Sequence, residues 1–148
     1  MKPCPVLIVT AGLRACALPL SHVAEAMRPL PVEQVGGTPG FVRGVSVIRG
    51  VPTPVVDLKA LLDGELSETW GRFVTLKFDE RRVALGVDAV VGLSDLDPDR
   101  LSELPPMLEG VAGHLIEAIG SRDAQLLLVL RAGRLVPDEV WKTLETAR

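Results

Sequence analysis

The chain has 148 residues, 47% of them hydrophobic and 24% charged, and its 16 basic and 19 acidic side chains leave a formal net charge of -3. Such a length makes one domain or two very small ones. The composition excludes a disordered tail, the charge balance argues against a nucleic-acid partner, and no apolar run approaches the roughly 18 residues of a membrane-spanning helix.

Val6–Thr10 and Arg14–Leu18 read as two strands around a turn at Ala11–Leu13. Ser21–Met27 reads as a short helix. Ser21 is its cap, and Val23, Ala26 and Met27 share one face. Pro29 and Pro31 stop it, and Val32–Val35 resumes extended structure before a Gly- and Pro-rich loop over Gly36–Gly40. Phe41–Ile48 and Val51–Val56 form a hairpin turning at Arg49-Gly50. Pro52 and Pro54, two residues apart, turn their missing N–H groups to the same side and mark an edge or bulged position. Asp57 caps a short helix over Leu58–Leu62, and Gly64 stands where a C-cap glycine belongs. The polar stretch Asp63–Gly71 is the expected junction.

Arg72–Phe78 alternates, with Val74, Leu76 and Phe78 on one face, and Val83, Leu85 and Val87 mark the next strand. Ala89–Leu93 is a third apolar segment, followed by an acidic loop over Ser94–Asp99 and one helical turn from Asp97-Pro98 to Glu103. Val111–Ile119 and Gln125–Leu130 read as strands around Gly120–Ala124, and Pro137–Thr146 as a closing helix with Val140, Trp141 and Leu144 on one face.

The chain also repeats itself. Shifted by 67 residues, Arg14 falls on Arg81, Ala17 on Ala84, Leu18 on Leu85 and Val23 on Val90, while Val6–Thr10 falls on Phe73–Lys77. The matched order of strands predicts two similar β-units, about 5–62 and about 72–136, with a C-terminal helix at about 137–146. Each unit is small to stand alone and gains by packing on the other.

Gly44-Val45-Ser46-Val47-Ile48-Arg49-Gly50, followed by Pro54-Val55-Val56-Asp57-Leu58, resembles the chemotaxis coupling protein family, CheW. Ala17-Leu18-Pro19-Leu20, Thr38–Gly44, Val83–Val90, Leu108–Val111 and Gln125–Leu130 line up with it in order, so the likeness covers nearly the whole chain. The resemblance implies a mainly β fold of two packed, five-stranded SH3-like barrels. It implies a cytoplasmic adaptor without catalysis or cofactor. Its partners would be the cytoplasmic tip of a helical-hairpin chemoreceptor and the regulatory domain of a CheA-type histidine kinase, with no insertion into the membrane. By motif match, Val23, Glu25, Gly44 and Arg49 are the implied receptor contacts. The chain departs from the family pattern at Val47, where the family has Asn, at Ile48, where it has Leu, at Cys16, and over Arg131–Arg134. These departures suit an accessory or divergent chemosensory array.

Read without the resemblance, Arg49 is a solvated turn charge and Gly44 marks either a bulge or a close approach by another backbone. Val23 is a core residue and Glu25 a solvated carboxylate. Cys16 and His22 are the sole basis for a thiol enzyme, and an apolar strand is where an inert thiol usually sits. Cys4 and Cys16 in a chain without an evident export signal read as reduced and cytoplasmic. His114 reads as a strand surface residue. The cysteines and histidines lack the paired spacing of a zinc site, no phosphate loop is present, and Pro98 interrupts the calcium-like run Asp95, Asp97, Asp99. A double-barrel interaction module with an unrelated partner is the alternative to the chemosensory adaptor.

Overall fold

A computed structural model describes residues 4–103, 115–122 and 125–146. It contains ten strands: β1 (Cys4–Ala11), β2 (Arg14–Pro19), β3 (Val23–Met27), β4 (Val42–Ile48), β5 (Val51–Asp57), β6 (Arg72–Phe78), β7 (Arg81–Val87), β8 (Ala89–Leu96), β9 (Ile116–Arg122) and β10 (Gln125–Leu130). Helix α1 (Leu58–Asp63) follows β5, and α2 (Asp138–Thr146) follows β10. The strands form two five-stranded sheets, β8-β1-β2-β10-β9 and β3-β6-β7-β5-β4. The mainly β class with two five-stranded units is as expected. Among the described residues the hydrogen-bonded ladders do not close into rings, so each sheet has two end strands.

Neither sheet is drawn from one half of the chain. β3 leaves β2 and pairs with β6, while β8 leaves β7 and pairs with β1. The two halves exchange their last three strands, β3–β5 for β8–β10, so units running about 5–62 and 72–136 do not coincide with the sheets. The repeat itself is visible in the topology: β1 and β6, β2 and β7, β3 and β8 hold matching places in the two sheet orders.

Side-chain direction explains why the central strands are apolar on both faces rather than alternating. On β1, Leu7, Val9 and Ala11 join one large shared core, and Val6 and Ile8 join a smaller one. β6 and β7 do the same: Val74, Leu76, Val83 and Leu85 face the shared core, and Phe73 and Ala84 face a separate cluster with Ile48 and Val55. Each sheet therefore curls around its own small core and packs its outer face on the other sheet. The small cores carry Ala15, Ala17 and Ala84, side chains that fit inside a tight curl.

The expected helix over Ser21–Met27 is not formed. One 3-10 turn covers Leu20–His22, with Pro19 rather than Ser21 at its cap, and Val23–Met27 is strand β3. Five residues give too short a helical face to outweigh a ladder with β6. The expected strand at Ala89–Leu93 extends to Leu96, taking Ser94 and Asp95 out of the acidic loop. The helical turn from Asp97 ends at Arg100, and Ser102 instead bridges Ile119. Strand β9 continues through Gly120–Arg122, which had read as turn, because Gly120 pairs with Leu127. The expected strand start at Val111 and His114 lie outside the described residues.

The prolines of β5 find their place in the ladder. β5 pairs with β7 only over Val55–Asp57, so Pro52 and Pro54 turn toward a side with no neighbouring strand. Asp57 caps α1 through the Ala60 N–H at 3.4 Å, and the Gly64 N–H closes the helix on the Ala60 carbonyl at 2.8 Å. The Asp57 carboxylate is fully buried and also accepts from the Ser67 N–H (2.7 Å), the Ser67 hydroxyl (2.9 Å) and Arg43 Nη1 (3.1 Å). Arg43 Nη1 donates as well to the Ser67 carbonyl at 2.8 Å, and its guanidinium lies over the Trp70 ring at 5.3 Å. The polar junction after α1 is thus pinned onto the β4–β5 hairpin. Helix α2 seats Val140 and Trp141 in the shared core, and Arg81 stacks over Trp141 at 5.1 Å while contacting Asp138 at 3.2 Å.

Candidate functional site: the seam of the second sheet

β3 and β4 are the opposite ends of one sheet, yet Arg49 and Glu25 join them. Arg49 Nε donates to Glu25 Oε2 at 2.7 Å and Nη2 to Oε1 at 3.1 Å, a fork-to-fork pair. The curl brings the two end strands close enough for an ion pair to span the open seam where no backbone ladder does.

Local structure places both partners. Arg49 and Gly50 have φ of 50° and 77°, the two positive values a tight two-residue hairpin turn requires. Glu25 sits beside a register shift between Val23 and Glu25 that re-aims it. The Thr75 hydroxyl holds it there, accepting from the Glu25 N–H at 3.2 Å and donating to the Glu25 carbonyl at 3.3 Å. A small depression bounded by Ala24, Glu25, Ile48, Arg49, Thr53 and Thr75 opens beside the pair. The hydrogen bond from Arg49 holds the Glu25 carboxyl below its ordinary pKa, and the guanidinium is raised in turn. The pair is therefore ionised at neutral pH and separates only as the pH falls below the usual carboxylate range. The Arg49 side chain remains 72% exposed, so the guanidinium is held and still open to a partner.

The other two residues singled out in the sequence have different settings. Gly44 has φ of 144° at a register shift in β4, and a Cβ there would lie 2.0 Å from the Glu33 carbonyl oxygen. Both readings of that glycine hold together: it is a bulge, and the backbone that approaches it is this chain's own. Glu33 lies along β4 because its N–H and carbonyl exchange bonds with Val45 at 2.9 and 2.8 Å. Val23 is half-buried on β3 against the shared core, in register with Leu76. The structure brings Glu25 and Arg49 together and leaves Val23 and Gly44 as parts of the frame around them. Sequence pattern alone does not point to the Thr75 hydroxyl, 50 residues from Glu25, or to the Glu33 segment, 12 residues before Val45.

Cys16 is fully buried, and burial pushes its thiol up to about 12. The His22 ring instead packs on Phe78 at 5.0 Å with Nδ1 3.3 Å from the Lys77 carbonyl, and no hydrogen bond links it to Cys16 among the described residues. Alkylation under native conditions is expected to label exposed Cys4 and spare Cys16 until the protein is unfolded. Rapid native labelling of Cys16, read by mass spectrometry, would revive a reactive thiol. Among the described residues no group of three or more His, Cys, Asp or Glu is placed to hold a metal ion, and no helix is long and apolar enough to cross a membrane.

The family model for the CheW-like domain matches residues 5–140. The chain belongs to the CheW-like family. It is 24% identical over 135 residues to the chemotaxis protein CheW of Klebsiella aerogenes, covering 90% of this chain and 81% of that protein. It is 29% identical over 119 residues to Protein PilI of Pseudomonas aeruginosa, covering 79% and 67%. The crystal structure of the scaffolding protein TtCheW from Thermoanaerobacter tengcongensis superposes with a TM-score of 0.76 at 21% identity, covering 88% of this chain and 90% of that one, and shows the shared fold. As a CheW-like protein, the chain is a scaffold or adaptor.

Proposed function

We propose that this CheW-like chain couples the cytoplasmic tip of a chemoreceptor to the regulatory domain of a CheA-type histidine kinase. It does so in the cytoplasm, at receptor arrays, by holding both partners at once and without catalysing a reaction. Tethering raises the effective concentration of two weak partners and gives a receptor rearrangement a route to the kinase. The observation that carries this reading is the seam pair. Arg49 and Glu25, two of the residues that match the family's receptor-contact motif, form one exposed, pre-ordered group on a rigid hairpin tip. A guanidinium held in this way loses little conformational freedom when a partner docks. Val23 and Gly44 support the same surface from within the frame.

Capture of a receptor tip fragment and of a kinase regulatory domain, both encoded in the same genome, tests the proposal. The wild-type chain retains both; retention of neither by monodisperse folded protein overturns the coupling reading. Arg49→Glu is expected to weaken receptor capture at least about tenfold while moving the melting temperature by no more than about 3 °C. The small thermal effect follows because exposed ion pairs contribute little to stability. The left-handed backbone strain is the same for either side chain. Unchanged receptor capture by the variant would remove Arg49 from the interface.

The likeness to Protein PilI, together with Val47 where the family pattern has Asn, favours an accessory chemosensory array as the setting. Capture of tips from each receptor in the genome decides between the settings, since an accessory adaptor retains a subset.

A further inference from the structure

We propose that Arg82 receives a carboxylate of the receptor tip in the depression beside the Arg49–Glu25 pair, which makes the seam specific for a tip presenting an aspartate or glutamate there. The proposal rests on the receptor-coupling reading above and extends it to the chemistry of the contact.

Arg82 of β7 lines that depression together with Glu25, Ile48, Arg49, Thr53 and Thr75. Strand direction puts it there. Val83 and Leu85 face the shared core, so Arg82 and Ala84 point the other way, into the curl of the sheet. Across the ladder Arg82 stands directly opposite Lys77, and both are exposed. Two like charges in register on one face are an unfavourable pair. Among the described residues no carboxylate of the chain relieves it. Asp79 and Glu80 form the turn of the same hairpin, and neither they nor Glu25 makes an ion pair with Arg82 or Lys77.

What the depression has left to offer is donors. Both Glu25 carboxylate oxygens already accept from Arg49. The Thr53 hydroxyl gives its proton to the Val51 carbonyl at 2.9 Å, and the Thr75 hydroxyl gives its own to the Glu25 carbonyl at 3.3 Å. The Arg82 guanidinium is unspent among the described residues. Two guanidiniums and one carboxylate line the depression, so it carries one unbalanced positive charge.

That balance sets the partner's chemistry. The depression encloses about 40 Å³, room for a few water molecules or a single carboxyl group. A carboxylate only accepts, and it meets the guanidinium fork in two parallel bonds. A neutral apolar group pressed there would strip water from Arg82 and leave its charge unanswered. Glu25 and Arg49, the residues matched to the receptor-contact motif, bound the same depression, so the receptor tip is the partner that reaches Arg82.

Arg82→Gln removes the charge and keeps a long polar side chain. The probes are the labelled receptor tip fragment and the kinase regulatory domain, and each Asp and Glu of the tip fragment is changed in turn to Asn or Gln. Arg82→Gln is expected to weaken tip binding at least about fivefold, with the wild-type melting temperature and kinase-domain affinity. One tip substitution is expected to weaken binding to the wild-type chain by a similar factor and to cost nothing further against Arg82→Gln, the mark of a direct pair. Tip binding at wild-type strength by Arg82→Gln overturns the inference and leaves the coupling reading standing. So does a loss that no tip carboxylate shares, a fall in melting temperature, or a loss of kinase-domain affinity. Failure of the wild-type chain to bind any tip removes the coupling reading and this inference together.

Discussion

Replacing Gly44 with alanine is expected to destabilise the protein by about 3 kcal/mol or more, lowering the melting temperature by roughly 10 °C in a domain of this size. Two independent costs add here. The φ of 144° lies where only glycine rests without strain, and the new Cβ would stand 2.0 Å from the Glu33 carbonyl oxygen. That oxygen belongs to backbone that bonds Val45, so it cannot rotate away. Relief requires the Glu33 segment to leave the edge of β4, which breaks both bonds to Val45. Thermal unfolding followed by circular dichroism measures the effect, and a melting temperature within 2 °C of wild type would contradict it. The result bears on function too. A receptor-binding defect in a Gly44 variant is expected to track the folded fraction, unlike the defect of Arg49→Glu.

Asp57→Ala is expected to cost about 3–5 kcal/mol, because it leaves buried donors without their acceptor. The carboxylate is fully buried and serves the Ser67 N–H, the Ser67 hydroxyl, the Ala60 N–H and Arg43. Arg43 would keep the Ser67 carbonyl and the Trp70 face, and its side chain is 28% exposed, so the larger part of the cost falls on the buried Ser67 and Ala60 donors. Ser67→Ala removes one neutral donor and is expected to cost only about 1 kcal/mol. Urea unfolding of the two variants separates the outcomes. Equal, small losses would show that the cluster is better hydrated than its burial implies.

Much of the architecture was legible because it is local. Alternation in Arg72–Phe78 and around Val83–Val87 marks strands that form at those places. Asp57 and Gly64 announce the two ends of α1, and the positive-φ turn is written in Arg49-Gly50. The 67-residue offset identifies strands that occupy equivalent positions. What stayed hidden is non-local. Nothing in Val23–Met27 or Ala89–Leu96 says which sheet each joins, since both choices satisfy the same apolar pattern. The same holds for the site. Arg49 and Glu25 were each picked out through motif likeness, but their pairing depends on how far a sheet curls, a property of all five strands. Gly44 left two explanations open until the Glu33 backbone supplied one.

The exchange of β3–β5 for β8–β10 also governs how the molecule assembles. β1 and β2 cannot complete their sheet until β8, β9 and β10 arrive, and β3–β5 wait for β6 and β7. Sequence-distant pairing of this kind raises the contact order and slows the search for the native state. It also interlocks the two halves, so neither is expected to melt without unravelling the other, and unfolding is expected to be a single cooperative event.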